Sequence, residues 1–224
     1  MNYTLQFGQV THQIPYLLGG AWISIQLTVI SFGLGALIGL LCASTKVYGR
    51  KFFRGLVAVY VSAFTNTPAF IQLYLLFNGL PEIGILLPPF LAAAIGLTLV
   101  AGAYLTEIMR AGFSSVRRSE VEAAETLGFS RPQIIFHVVL PHLMRTIYQP
   151  LAGFFVWMLL GSSIAALIGV EELTGRAINV SSSTLRSIEV FIIVAGVYLA
   201  LSILCTALLA LIGRHLFRVR MRMI

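Results

Sequence analysis

The chain has 224 residues, of which 58% are hydrophobic and only 10% charged, with a net charge of +7. A soluble domain carries about 45–50% apolar and about 25% charged residues, so fifteen bases and eight acids are too few to cover a water-facing surface of this size. This composition excludes a soluble enzyme, a disordered chain and a disulfide scaffold, and it predicts an all-α integral membrane protein.

Residues 1–15 hold no Lys or Arg, which argues against a cleaved signal peptide with a basic start. A helix needs about 20 apolar residues to cross ~30 Å of hydrocarbon. Five stretches are long enough: approximately 17–45, 55–79, 88–109, 146–169 and 189–213. Continuous apolar runs such as Ile164-Ala165-Ala166-Leu167-Ile168 do not fit the alternation of a membrane barrel, so these stretches are predicted helices. The whole of 1–224 reads as one membrane domain.

In span one, Gly19, Gly20, Gly33, Gly35 and Gly39 predict close helix packing. Cys42 and Cys205 sit inside apolar runs, where cysteine behaves as a small hydrophobe. Span two is interrupted by Thr65-Asn66-Thr67-Pro68. Pro68 removes one amide donor and predicts a kink whose freed carbonyls line a cavity. Gln72, four residues on, shares that face. Span three ends in Glu107 and Arg110, spaced i,i+3 as a local ion pair or a gate.

The one long polar segment follows. Ser119-Glu120-Val121-Glu122 fits a capping box, and Ser130-Arg131-Pro132-Gln133 fits a second. Gly128 stands where a C′ glycine ends the first helix. The second helix, Ile134 to about Val139, should stop before Leu140-Pro141. Residues 117–141 thus read as a two-helix loop. The small face of Ala123 and Ala124 suits either docking on another protein or lying on the bilayer.

Ser162 and Ser163 are expected in the middle of span four beside Gly161. Together with Thr65, Asn66, Thr67 and Gln72 they either line a path across the membrane or bond to helices around them. Glu171 and Glu172 precede Arg176 on the opposite side. They read as a solvated turn or a binding-protein contact, with Glu172 paired to Arg176 at i,i+4. His137 and His142 point to different faces and the chain contains no Asp, so no metal or catalytic set is predicted.

Thirteen of the fifteen bases follow spans one, three and five, in the groups Lys46–Arg54, Arg110–Arg145 and Arg214–Arg222. The positive-inside rule makes those segments cytoplasmic, with the N-terminus outside and the C-terminus inside. The bases form no stripe interleaved with aromatics, so nucleic acid is not an expected partner, whereas membrane lipid is.

Glu122-Ala123-Ala124, Gly128, Val138, Leu140 and Pro141 resemble the EAA loop of ABC-importer permeases. The pattern E-A-A-x3-G-x9-I-x-L-P is matched at six of seven positions, with Val138 in place of Ile. Glu107-Ile108-x-Arg110, Ser115-Val116, Thr67-Pro68, Gln72-Leu73 and Gly79-Leu80-Pro81 are similar to the polar amino-acid uptake branch. The resemblance implies a non-catalytic five-span permease of the bacterial inner membrane, working beside a second copy or a homologous permease. It also implies ABC ATPase subunits, which bind the ATP and Mg, and a periplasmic or lipid-anchored solute-binding protein. Its coupling residues are then Glu122, Ala123, Ala124, Gly128, Leu140 and Pro141. No G-x-x-x-x-G-K-[ST] sequence occurs, so no cofactor is expected on this chain itself.

Two departures matter. Relatives often carry Arg-Gly-Thr-Pro where this chain has Thr65-Asn66-Thr67-Pro68, and Lys where it has Leu160. With both bases gone, substrate contacts are expected on a non-identical partner permease or in a weakly binding passage. The competing readings are the same architecture importing an opine or organic cation, a passive channel, and an intramembrane enzyme. The enzyme would need an ionisable set that the spans lack.

Overall fold

The computed structural model describes residues 4–216, which form helices and turns with no strand among the described residues. Two 3-10 turns, Phe7–Gln9 and Thr11–Gln13, lead into α1, Ile14–Tyr48. Helix α2 is Lys51–Thr65, α3 is Ala69–Tyr74 and α4 is Pro89–Ser115. The loop helices are α5, Arg118–Thr126, and α6, Arg131–Ile134. Helices α7, Leu140–Gly161, α8, Leu173–Thr184, and α9, Ser187–Leu216, complete the chain. Among the described residues, four helical stretches are long and apolar enough to cross a membrane, and there are five if Lys51–Thr65 and Ala69–Ile83, a bent pair, count as one span.

Helix α4 is the centre of the bundle because small residues let its neighbours approach. Gly35 and Gly39 of α1 lie against it: a Cβ at Gly35 would sit 2.5 Å from Ala101 Cβ, and one at Gly39 2.8 Å from Leu105 Cβ. The Ser31 hydroxyl donates to Ala94 O at 3.2 Å in the same seam. Leu27, Leu73, Ala101, Leu105, Met158 and Ile168 gather around α4 as the main core. The outer faces of α2 and α9 are covered with exposed side chains such as Leu56, Val59, Leu199, Ile203 and Leu208, the composition expected against lipid.

Span two is broken rather than kinked, with α2 and the helical stretch Ala69–Ile83 meeting at 104°. Residues before proline avoid the helical region, and side chains close the end of α2. Thr65 Oγ1 donates to Val61 O at 2.7 Å and Asn66 Nδ2 to Ser62 O at 2.8 Å. Beyond α3, a π turn at Leu75–Gly79 and a 3-10 turn at Leu80–Ile83 finish the segment, and Gly84 turns the chain at φ 83°.

Three other expectations need correction. The second loop helix does not stop at Leu140-Pro141 but runs into span four. A π turn at Ile135–Val139, with Leu140 N–H donating to Ile135 O, widens the helix where the proline ring would meet a carbonyl. Span four leaves α geometry at Gly161 and ends as a 3-10 helix over Ser162–Ile168, so the two serines lie at its end instead of its middle. Glu171 and Glu172, expected in a solvated turn, lead straight into a helix, α8, which Glu172 caps. Arg218, Arg220 and Arg222 lie outside the described residues.

The α1–α4 seam gives a direct test. Gly35→Leu must displace α4 and should cost about 1–3 kcal/mol of stability, as overpacking does. Gly33→Leu, at a position with nothing within 4 Å, should stay within about 0.5 kcal/mol. Thermal unfolding of both variants in mild detergent checks the difference.

Candidate functional site

A cavity of about 260 Å³ lies where the span-two break faces α4. Thr67 and Gln72 are its polar lining, while Phe64, Leu75, Leu76 and Leu99 supply apolar walls. Gln72 Nε2 donates to Phe64 O at 3.1 Å and Thr67 O at 2.8 Å, so the glutamine bridges the break. Its Oε1 is buried and receives no hydrogen bond. The structure therefore brings Thr67 and Gln72 to one cavity. Thr65 and Asn66 cap α2 instead. Ser162 and Ser163 donate to Leu159 O at 2.7 Å and Leu160 O at 2.8 Å, bonding within their own helix.

Glu107 and Arg110 do form an ion pair, Arg110 Nε donating to Glu107 Oε2 at 2.7 Å. The other carboxylate oxygen is taken by Lys46 Nζ of α1. Sequence reasoning missed Lys46 because the two residues are 61 positions apart. The available signal was a single lysine ending an otherwise uncharged span.

The two-helix loop stands at this same end of the bundle. Its first helix begins at Arg118, with Arg117 as an N-cap that makes no side-chain bond. Ser119 is therefore inside the first turn and the first predicted capping box does not form. Glu122 instead accepts from Arg118 Nε at 2.8 Å across one turn. Gly128, at φ 79°, closes α5: Phe129 N–H donates to Ala124 O and Gly128 N–H to Glu125 O, the Schellman pattern. The second box does form, Gln133 Oε1 accepting from Ser130 N at 2.8 Å and Ser130 Oγ at 2.9 Å. Ala124 is buried, while Glu122 and Ala123 are exposed. Leu127, Phe129, Phe136 and Leu140 are also exposed, and Pro141 opens α7 beside them. His142 of α7 approaches Glu120 at 3.4 Å, tying the loop to span four.

The largest omission is Glu172, which is fully buried and not paired with Arg176 as expected. It caps α8 by accepting from Gly175 N at 2.9 Å, and also accepts from Ser24 Oγ and Tyr198 Oη, each at 2.9 Å. Arg176 turns away, donating to Tyr16 O at 2.7 Å with its guanidinium 4.5 Å above the Tyr16 ring. Spans one and five and α8 thus converge on one carboxylate, which a sequence pairing rule limited to neighbours cannot foresee.

A bundle of lipid-faced helices, a broken span beside a largely apolar cavity and a short helical loop at the basic end define a multi-pass membrane transport domain. The chain belongs to the family described as binding-protein-dependent transport system inner membrane component, whose model matches residues 35–218. It is 34% identical over 205 residues to the L-cystine transport system permease protein TcyB of Bacillus subtilis (strain 168), covering 91% of this chain and 88% of that protein. It is 28% identical to the glutamine transport system permease protein GlnP of Escherichia coli (strain K12), covering 91% and 94%. Among solved structures, an amino acid ABC transporter crystallised with histidines matches with a TM-score of 0.88 and 31% identity, covering 96% of this chain and all of that one. The inward-facing MetNI methionine ABC transporter shares the fold at a TM-score of 0.70 and 19% identity, covering 93% of this chain and 97% of that one.

The buried carboxylate is testable. Glu172→Leu strands three donors and should cost about 2–4 kcal/mol. Ser24→Ala, which removes one donor to Glu172 and the acceptor of the Leu173 N–H, should cost about 1–2 kcal/mol. Denaturation of the purified proteins in detergent measures both.

Proposed function

We propose that this chain is the membrane-spanning subunit of an ATP-driven importer of amino acids, working by alternating access in the inner membrane. The observation that carries the reading is the loop from α5 to the start of α7. It exposes Leu127, Phe129 and Phe136 on a segment outside the long apolar stretches that end at Ser115 and begin again at Arg131, or on its first turns. Exposed apolar side chains beside charged ones suit a protein groove. In this reading α5 sits in a groove of a separate ATPase, which binds ATP and Mg. Glu122 and Ala123 make the contact, Gly128 fixes the angle at which the chain leaves it, and Leu140-Pro141 passes the movement to α7. Amino acids as cargo rest on the named transport activities of the relatives.

The basic end faces the cytoplasm in this scheme, and the opposite end receives solute from a binding protein. A second permease stands alongside. Thr65 and Leu160 replace the bases frequent in relatives, so a non-identical partner holding the substrate carboxylate fits better than two copies of this chain. The Lys46–Glu107–Arg110 cluster lies where α1 and α4 leave the bilayer and acts as a fixed interfacial tie.

Reversing the charge at Glu122 provides the test. Its one bond is to Arg118 on an exposed face, so Glu122→Lys should leave the protein inserted and folded. Transport in vesicles should fall about tenfold or more while ATP hydrolysis by the complex persists, as expected when an interfacial charge contact worth about 1.4 kcal/mol is lost. Gly128→Val should behave similarly, because a β-branched residue resists positive φ. Wild-type transport by both variants would remove α5 as the coupling helix.

A further inference from the structure

We propose that the corner between α1 and α2 is a binding site for one anionic phospholipid. Arg50, Lys51 and Arg54 take its phosphate, and its acyl chain lies along Phe52, Leu56 and Val59. The site goes beyond the importer reading and does not depend on it.

The corner holds positive charge that nothing in the chain neutralises. No Asp or Glu occurs before Glu82, so these bases have no acid in their own part of the sequence. Glu107, the acid that reaches the end of α1, is already shared by Lys46 and Arg110. Arg50 and Lys51 are exposed, and their side chains make no hydrogen bond or ion pair among the described residues. Arg54 is exposed too. Its Nε donates to Gly49 O at 2.8 Å, which holds the guanidinium at the turn and leaves both Nη groups unbonded among the described residues. Arg54 follows Arg50 by four residues and Lys51 by three, so the three cations share one side of the helix start. The coupling loop differs. Glu120, Glu122 and Glu125 stand among its bases, and Arg118 is paired with Glu122.

The surroundings select a lipid over a soluble anion or an acidic protein face. Phe52, Leu56 and Val59 recur at i, i+4 and i+7 and are all exposed, so an apolar stripe starts among the bases and runs along α2. Phe53, exposed and edge-on to Phe52 at 5.5 Å, stands where aromatic rings anchor a span at headgroup level. Cations at the head of an apolar stripe match a molecule with a phosphate at one end and an acyl chain at the other. The arginine fork fits two phosphate oxygens, and the lysine adds a point charge. Helix α2 has Val61 as its one buried residue. A lipid along it supplies packing that the chain itself does not.

Lipid titration of the full-length chain in mild detergent, read by native mass spectrometry, tests the site. The first dioleoyl phosphatidylglycerol should bind about tenfold or more tightly than dioleoyl phosphatidylcholine, which has the same acyl chains. Replacing Arg50→Gln, Lys51→Gln and Arg54→Gln together should abolish that preference. Lys51→Gln alone should weaken the first phosphatidylglycerol about fivefold, the weight of one base near an anionic headgroup. The control, Arg117→Gln, Arg131→Gln and Arg145→Gln together, removes the same charge elsewhere at the basic end and should keep the preference. Thermal unfolding without added lipid establishes that each variant is folded before its binding is read. The unaltered chain in nanodiscs gives the location: a phosphatidylglycerol with a photoreactive diazirine on its acyl chain should crosslink mainly within residues 52–59.

Equal losses in the two triple variants mean diffuse attraction to positive charge and overturn the site. Displacement of the lipid by glycerol phosphate also overturns it, by showing a site for a free anion. So do crosslinks spread evenly over α2 and α9, or a co-purifying protein captured at the corner in place of lipid. None of these readouts uses transport or ATP hydrolysis, so failure of the site and failure of the importer reading stay distinct.

Discussion

Lipid offers the backbone no hydrogen-bond partners, and nearly every feature of this chain follows from that constraint. Four of its spans satisfy it by remaining helical from end to end. Span two does not, and its break at residues 66–68 survives because side chains take the groups that the helix releases. Thr65 and Asn66 occupy carbonyls at the end of α2, and Gln72 reaches back to Phe64 O and Thr67 O. Tyr60 Oη, donating to Leu99 O at 2.6 Å, pins the α2 side of the break to α4. The break is thus held in place, and the cavity beside it is part of the resting structure.

The same constraint explains how a carboxylate is buried at Glu172. A charge removed from water is tolerated when its lone pairs are occupied. A backbone amide, a serine and a tyrosine do this from three helices. The carboxylate therefore fastens α8 between spans one and five. Tyr148 Oη, donating to Leu209 O at 2.6 Å, makes a comparable tie between α7 and α9 nearer the basic end. Helices whose outer faces are slippery aliphatic surface are held by a few directed polar bonds on their inner faces.

This division also explains what could be read from the sequence. Local grammar was legible: Gly128 ends α5 at positive φ, Ser130 and Gln133 form their box, and Glu107 pairs with Arg110. Small residues in span one marked the close seam, though only Gly35 and Gly39 serve it against α4, while Gly19 and Gly20 lie against Arg176 and Glu172. What stayed hidden was long-range. Lys46 finds Glu107 and Ser24 finds Glu172 across many residues, and no spacing rule reaches that far. Local rules also failed where another local term won. Pro141 did not stop a helix once a π turn had opened room for it, and Ser119 lost its capping role when Arg118 captured Glu122. The cavity was anticipated through Pro68 and Gln72, but Ser162 and Ser163 spend their hydroxyls within their own helix.

Helix α4 joins the two ends of the proposed mechanism. Gly96 and Leu99 form part of the cavity wall, and Glu107 and Arg110 lie eight or more residues further along the same helix, a rise of about 12 Å from Leu99 to Glu107. Between them the helix presents Ala101, Gly102, Ala103 and Leu105 to close neighbours, with Ile38 and Tyr60 crowding Gly102. A helix packed this tightly cannot bend locally without opening voids, so displacement at its basic end must be carried to the cavity as movement of the whole rod. Lys46 binds α1 to that rod, and the α1–α4 seam runs from Ser31 to Gly39. The two helices are therefore joined along their length as one packed unit. Helix α2 buries a single residue and is tied to the rod by the Tyr60 hydroxyl, the loop helix α5 buries only Ala124, and these border the cavity and the proposed ATPase contact respectively. Alternating access needs this distribution: a stiff pair that carries displacement, flanked by elements whose contacts are few enough to change.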